Sequence, residues 1–122
     1  MTDLAELIDR YLQIWNETDA LRRRALIART WTEDASYLDP VLCGQGHEGI
    51  DAMVQAVHQR YPGLRFARSG EIDAHNDRVR FGWSFAPPGG PAVARGLDVA
   101  IVAADGRLSH VTGFFDEVRQ AA

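Results

Sequence analysis

The sequence of 122 residues contains few of the features that tie a protein to a special environment. Its single cysteine, Cys43, excludes an internal disulfide framework and is typical of a protein from a reducing compartment. No apolar run approaches the length that crosses a membrane, and the N-terminus lacks the apolar stretch of a signal peptide. These absences predict one soluble, cytoplasmic domain over residues 1–122 with no membrane association.

Positive charge is also scarce, which limits the classes of partner. The net charge is −4, whereas proteins that bind nucleic acid usually present a basic face. The basic cluster Arg22-Arg23-Arg24 is typical of a solvated helix surface. No second histidine follows His47 at metal-ligand spacing, and no base stands beside the cysteine in the sequence. We therefore expect no nucleic acid, no metal and no cofactor.

Apolar residues at helical spacing predict three helices in the first half of the chain. Asp3 and Asp19 are placed to cap the first two helices, and Tyr61-Pro62-Gly63 ends the third. The predicted helices cover residues 4–15, 21–31 and 49–60. They leave the second half of the chain for a sheet.

The second half consists of long β-prone segments separated by turns. Asp105-Gly106 between two apolar runs is a strong hairpin signal, and a shorter extended segment, residues 35–38, precedes Asp39-Pro40. The four long strands are predicted at residues 65–72, 78–86, 92–103 and 107–118. Helices followed by an antiparallel meander indicate an α+β fold, with a curved antiparallel sheet packed against three N-terminal helices.

Glycines and aromatic residues in these strands predict that the sheet is cone-shaped and encloses a pocket. Gly82, Gly96 and Gly113 allow long strands to bend, and a bent sheet over three helices leaves a cavity for a small apolar molecule. The residues predicted to line this pocket are Trp15, Val57, Phe81, Trp83, Phe85, Val111, Gly113 and Phe115.

The outer face of such a sheet would be left bare by helices that cover only one side. The last strand carries apolar bulk on both faces, with Phe115 on one face and Phe114 on the other. This pattern predicts a homodimer that buries the outer face.

Three polar side chains are unexpected in their apolar surroundings. Tyr11 lies on the apolar stripe of the first helix, Asp39 stands between Leu38 and Pro40, and Asp98 interrupts an apolar strand. A buried carboxylate is costly unless it is paired or protonated. An apolar pocket can therefore prepare one acid as a proton donor while a better solvated one stays a base.

Three stretches of the chain resemble the ketosteroid isomerase branch of the nuclear-transport-factor-two-like superfamily, which includes the SnoaL-like polyketide cyclases. They are Arg10-Tyr11-Leu12, residues 31–40, and Gly96-Leu97-Asp98-Val99 continuing to Asp105-Gly106-Arg107. The resemblance extends over nearly the whole chain. It implies the cone-shaped fold and, for an enzyme, a cofactor-independent isomerase or lyase/cyclase.

On this resemblance Asp39 corresponds to the catalytic base, and Tyr11 and Asp98 correspond to the two donors that hold an oxyanion. Asp39 would remove a proton next to a carbonyl group, and Tyr11 and protonated Asp98 would stabilise the enolate oxygen. Ketosteroid isomerase is itself the reference case for an aspartic acid kept neutral by an apolar site. The chain departs from the isomerase on the third helix, where Val57 replaces a supporting tyrosine.

Each of these residues also has a structural interpretation. Tyr11 could be a core tyrosine, Asp39 a turn residue, and Asp98 an outer-face carboxylate paired with an arginine. Arg95 near Asp98 is similar to the arginine between two aspartates in limonene epoxide hydrolases. A three-residue spacing on a strand turns these two side chains apart unless a bulge at Gly96 intervenes, which disfavours that function.

Two further functions are compatible with the same sequence, because a fold does not determine a function. The pocket could bind a small apolar molecule without transforming it. Alternatively, the domain could be a dimeric interaction module in which the pocket is vestigial.

Overall fold

The computed structural model of the chain describes residues 3–119. These residues form three helices and six strands, with the following bounds: α1 (Leu4–Asn16), α2 (Ala20–Thr30), β1 (Trp31–Leu38), β2 (Cys43–Gln45), α3 (Gly46–Arg60), β3 (Arg65–His75), β4 (Arg78–Ala86), β5 (Ala94–Val102) and β6 (Leu108–Val118). No helix among them has both the length and the apolar character needed to cross a membrane. The predicted α+β layout is confirmed.

The helices begin where the chain offers a cap or a sharp turn. Asp3 Oδ1 accepts a hydrogen bond from the backbone N–H of Glu6 (3.2 Å), and Asp19 Oδ1 accepts one from that of Arg22 (3.0 Å). The third helix begins at Gly46 and not at residue 49. The positive φ of Gly46 (68°) turns the chain directly from β2 into α3, which any other residue would do only under strain.

The sheet has the strand order β2-β1-β6-β5-β4-β3. Its last four strands in chain order form the predicted antiparallel meander. The structure adds β1, which pairs in parallel with β6, and the short β2, which pairs antiparallel with β1. The sequence predicts an extended segment only from residue 35, because Trp31 continues the helical spacing of α2. In the structure the chain already becomes extended at Trp31.

The helices cover one face of the sheet, and the side chains that point toward them form the core. On β4, Val79, Phe81, Trp83 and Phe85 are buried while the intervening residues are more exposed. This alternation is expected for a strand that is covered on one face. The same rule places Gly96, Asp98 and Ala100 of β5 on the covered face.

Arg23 departs from the solvated face predicted for the basic cluster. Its side chain is buried, and its Nε donates to Asp51 Oδ1 (2.6 Å), which ties α2 to α3. A second nitrogen donates to the backbone carbonyl of Glu17 (3.0 Å). The prediction holds for Arg22 and Arg24, which are exposed, and is wrong for Arg23, since helical rotation turns it toward α3.

Register shifts accompany the curvature of the sheet. The pairing of β3 with β4 shifts between Ser69 and Asp73, and that of β5 with β6 shifts between Arg95 and Gly96. A Cβ atom on Gly82 would lie 2.5 Å from the carbonyl oxygen of Ser69. The strands approach so closely at this point that only glycine fits.

Candidate active site

Asp98 lies at the centre of a buried hydrogen-bond network that joins α1 to the sheet. Its Oδ2 accepts a hydrogen bond from the Tyr11 hydroxyl (2.7 Å), and its Oδ1 accepts one from the Trp83 indole N–H (3.0 Å). Asp98 is 3 % exposed, so it faces the interior and not the outer face of the sheet. Two of the three side chains predicted to be catalytic are therefore in direct contact.

The backbone of β5 makes room for this network. Asp98 stands between Phe81 on β4 and Gly113 on β6 in the sheet register. A Cβ atom on Gly96 would lie 2.3 Å from the Trp83 ring. Glycine at position 96 is thus what allows the indole to lie across β5 and reach Asp98.

Asp39 follows the last residue of β1 and is held there by three donors. Its Oδ1 accepts hydrogen bonds from the backbone N–H groups of Val41 (2.8 Å) and Leu42 (2.7 Å). Its Oδ2 accepts one from the Tyr37 hydroxyl (2.6 Å). Asp39 is therefore both a turn residue, as its backbone contacts show, and a buried carboxyl group inside the cone.

The side chains of Asp39, Asp98 and Tyr37 converge on Gly113. A Cβ atom at this position would lie 2.9 Å from the Tyr37 hydroxyl oxygen, 3.0 Å from Asp98 Oδ1 and 3.1 Å from the Cβ of Asp39. All three contacts are tighter than ordinary van der Waals contacts. The absence of a side chain on Gly113 thus lets Asp39 and Asp98 approach the same small space.

Burial changes the proton affinity of this network. Burial raises the pKa of Asp98 to about 7; hydrogen bonds from Tyr11 and Trp83 act in the opposite direction, and the charge of Asp39 raises it. Burial also raises the pKa of Tyr11 and Tyr37 above the usual range of tyrosine, and the neighbouring Asp98 adds to this effect. Asp98 therefore exchanges its proton near neutral pH, whereas both tyrosines keep theirs.

Aromatic side chains surround the two carboxyl groups. Trp15 packs on Tyr37 (5.4 Å between ring centroids) and on Phe66 (5.2 Å). Trp83 packs on Phe66 (5.6 Å) and on Phe115 (5.8 Å). Tilted and edge-to-face contacts of this kind make the interior next to the carboxyl groups apolar and rigid.

The other residues predicted to line the pocket are also in or against the core. Phe81 packs edge-on against the Tyr11 ring (5.6 Å), and Phe85 stacks on Phe66 (4.3 Å). The two aliphatic residues among them are Val57 and Val111, which are buried. Two depressions of about 240 and 310 Å³ lie elsewhere, one against α1 and α2 and one on β3, β4 and β5. A cavity at the carboxyl groups stays a prediction.

The sequence prediction did not include Tyr37 and Phe66. Tyr37 lies two residues before Asp39, and alternation along an extended chain puts such a pair on one face, so this signal was available. Phe66 is the second residue of β3, where most side chains are exposed and the strand pattern gives no comparable signal.

Charged side chains do not neutralise the two carboxyl groups. Among residues 3–119, no ion pair includes Asp39 or Asp98. The register shift beside Gly96 is present, but Arg95 is exposed and lies 3.9 Å from Glu117. Nor does this part of the chain bring three His, Cys, Asp or Glu side chains together as a metal site.

The architecture and the buried network together define the class of the protein. Three helices on a curved, open mixed sheet form the cone of the nuclear-transport-factor-two-like fold. The sequence profile of the SnoaL-like domain matches residues 8–111, which is most of the chain. The chain belongs to the SnoaL-like family, whose fold accommodates isomerases, cyclases and ligand-binding domains.

Solved structures of similar proteins agree with this assignment. A protein named as an isomerase of the SnoaL-like family from Agrobacterium tumefaciens str. C58 is 41 % identical, with a TM-score of 0.88 over 93 % of this chain and 97 % of that chain.

Two more distant structures share the fold. A protein named as a SnoaL-like polyketide cyclase from Jannaschia sp. CCS1 is 17 % identical, with a TM-score of 0.68 over 92 % of this chain and 86 % of that one. An NTF2-like protein of unknown function from Exiguobacterium sp. 255-15 is 18 % identical, with a TM-score of 0.73 over 92 % and 99 %. No functionally curated protein is detectably similar in sequence.

Gly113→Ala tests the close approach of the carboxyl groups. The added methyl group would press on the Tyr37 hydroxyl and on Asp98, so we expect the free energy of unfolding to fall by about 1–3 kcal/mol in urea titrations. Gly49→Ala is the matched control, because a Cβ there meets only ordinary contacts from 3.5 Å and α3 gains a better helix former. An equal loss in both variants would contradict the crowding at Gly113.

Asp98 makes the stability of the folded protein decline as pH rises. The folded protein holds this proton up to about pH 7, whereas an aspartate in the unfolded chain releases it near pH 3.8. The contribution is complete below pH 3.8 and is lost between that pH and about 7, at a rate approaching roughly 1.4 kcal/mol per pH unit. Urea unfolding of the wild type and of Asp98→Asn across this range should show the decline only in the wild type. Parallel curves would refute the shifted proton affinity.

Proposed function

We propose that the protein is a cofactor-independent isomerase or lyase/cyclase that moves a proton next to the carbonyl group of a small apolar molecule. The observation that supports this best is the convergence of two buried aspartate side chains, Asp39 and Asp98, on Gly113. Their environments differ, since Asp39 accepts two backbone donors and Asp98 accepts side-chain donors only. Two acids in different environments suit the separate roles of proton acceptor and proton donor.

Asp39 acts as the base in this mechanism. Its Oδ1 accepts from two backbone N–H groups and its Oδ2 from the Tyr37 hydroxyl alone, so Oδ2 is the oxygen that accepts the proton from the carbon next to the carbonyl. The electron pair of the broken C–H bond moves onto the carbonyl oxygen and forms an enolate. Return of the proton to another carbon completes an isomerisation, whereas attack by the enolate carbon on an electrophilic carbon of the same molecule completes a ring closure.

Tyr11 and Asp98 stabilise the enolate oxygen. Below about pH 7 Asp98 carries a proton, so a ligand oxygen that enters between the two side chains accepts a hydrogen bond from each. Trp83 donates to the other carboxyl oxygen of Asp98 and holds its orientation. The site thus supplies donors where negative charge develops.

Asp39→Asn tests whether Asp39 is the base without removing its contacts in the turn. Asparagine keeps an oxygen for the N–H groups of Val41 and Leu42 but cannot take up a proton. The assay follows, by NMR in D₂O, the exchange of hydrogen for deuterium next to the carbonyl group of each ketone in an apolar panel. We expect the rate of this exchange to fall by about 10²–10⁴-fold. Asp116→Asn, an exposed acid near the end of β6, is the control and should exchange like the wild type. Unchanged exchange in Asp39→Asn would exclude Asp39 as the base.

The second candidate function is binding of small apolar molecules without turnover. The rings of Trp15, Phe66 and Trp83 offer an apolar surface whether or not the bound molecule reacts. Under this function an apolar compound raises the melting temperature, yet no compound exchanges its protons. If no compound of the panel raises the melting temperature, the domain is better described as an interaction module.

The outer face of the sheet is the proposed homodimer interface. Leu38 on β1 and Phe114 on β6 are 52 % and 51 % exposed, and Leu97 lies directly opposite Phe114. Large exposed apolar side chains on neighbouring strands form a patch of the kind that a second copy would cover.

Phe114→Glu should convert the dimer into a monomer, because a charged side chain would be buried in the interface. Light scattering coupled to size exclusion measures the mass of each species. Leu21→Glu places the same charge on α2, at a residue that is 77 % exposed, and should leave the dimer intact. A monomeric wild type at micromolar concentration would rule out this interface.

A further inference from the structure

The hydroxyl group of Tyr37 lies between the two carboxyl groups of the site. It donates to Asp39 Oδ2 at 2.6 Å. The hydroxyl oxygen and Asp98 Oδ1 lie 2.9 and 3.0 Å from the position that a Cβ atom on Gly113 would occupy. Tyr37 thus contacts one carboxyl group directly and flanks the same small space as the other.

The ring of Tyr37 is fixed in this position. It is buried on the inner face of β1 and packs edge-on against Trp15. Its Cα pairs with Val111 of β6 on one side and with Gly44 of β2 on the other. The hydroxyl group therefore cannot turn to solvent without breaking the packing of two strands and one helix.

Electrostatic repulsion acts between the two carboxyl groups, because neither forms an ion pair with any residue from 3 to 119. The titratable groups that face Asp98 are Tyr11 from α1, Tyr37 from β1 and Asp39 just after β1, and none of the three is basic. A negative charge on Asp39 disfavours a second negative charge on Asp98 in this interior.

We propose that Tyr37 is a positioning residue that assigns opposite protonation states to the two carboxyl groups. Its hydroxyl hydrogen bond stabilises the charged form of Asp39 and holds that charge over Gly113. Burial keeps the proton on Asp98, and the charge of Asp39 adds to this effect, so that Asp98 remains able to donate. Tyr37 acts through Asp39, to which it donates a hydrogen bond, and neither gives nor takes the transferred proton. This proposal extends the proposed function, and the role of Tyr37 in catalysis rests on that function.

The test follows the carboxyl groups themselves by ¹³C NMR of protein labelled at the aspartate γ-carbon. Asp39→Asn and Asp98→Asn assign the two signals. In the wild type we expect a step near pH 7 on the Asp98 carbon. In Tyr37→Phe this step should move to lower pH, because the charge of Asp39 that opposes ionisation of Asp98 is then less well stabilised.

Asp39→Asn tests whether the charge of Asp39 acts on Asp98. Removal of the charge should lower the titration midpoint of Asp98, by at least as much as Tyr37→Phe does. Addition of Tyr37→Phe to this variant should cause no further shift, because the carboxylate through which Tyr37 acts is gone. Tyr61→Phe is the matched control, since its hydroxyl group contacts Arg60 (3.2 Å) outside the network, and its titration should equal that of the wild type.

Two results would overturn the proposal: an unchanged Asp98 midpoint in Tyr37→Phe, or an unchanged Asp98 midpoint in Asp39→Asn. If Tyr37→Phe does not fold, the ζ-carbon of Tyr37 in the wild type replaces it. That carbon should report the Asp98 step and lose it in Asp98→Asn, and a flat signal would refute the coupling.

Failure of this proposal is distinguishable from failure of the proposed function. The NMR titration needs no substrate, so the coupling can be confirmed even when no ketone of the panel exchanges its protons. Conversely, exchange that depends on Asp39 while Tyr37→Phe leaves the titration unaltered would retain the acid–base function and remove Tyr37 from it.

Discussion

The approach of two buried aspartate side chains to Gly113 is the constraint on which the rest of the interior depends. Burying an acid is costly unless its oxygens find donors, and both acids here find them. Asp98 receives the Tyr11 hydroxyl from α1 and the Trp83 indole from β4, whereas Asp39 receives Tyr37 from β1 and two N–H groups from the turn that follows. The contacts that satisfy Asp98 therefore also dock α1 against the sheet, and those that satisfy Asp39 fix the end of β1.

Glycine on the inner face of two strands follows from this constraint. A close-packed core normally fills such positions with side chains. Gly96 instead leaves room for the ring of Trp83, and Gly113 leaves room for both carboxyl groups. The glycines were predicted to bend the sheet, and a register shift does lie beside Gly96. Their second effect, which is to admit polar side chains into an apolar layer, depends on side-chain directions that no local pattern contains.

The sequence predicts the fold better than the site, for physical reasons. Helical spacing and the Asp-Gly turn are local signals, and they placed the helices and the meander. The parallel pairing of β1 with β6 is non-local, and nothing in the alternation of β1 reveals its partner. Tyr11 and Asp98 stand out because they are polar in apolar runs. The role of Trp83 cannot be predicted in this way, because a tryptophan in an apolar strand is interpreted as a core residue. Only the structure shows that its indole N–H reaches Asp98.

The bond between Tyr11 and Asp98 also bears on how the proposed reaction gains its rate. A carbonyl oxygen that enters between these side chains must replace a 2.7 Å hydrogen bond that the ligand-free site already makes. A neutral oxygen replaces it with little net gain, since one hydrogen bond is exchanged for others of similar strength. An enolate oxygen gains far more, because charge-assisted hydrogen bonds are stronger than neutral ones. The pre-formed bond thus weakens the binding of the substrate relative to the charged intermediate, which is the condition under which binding energy accelerates a reaction.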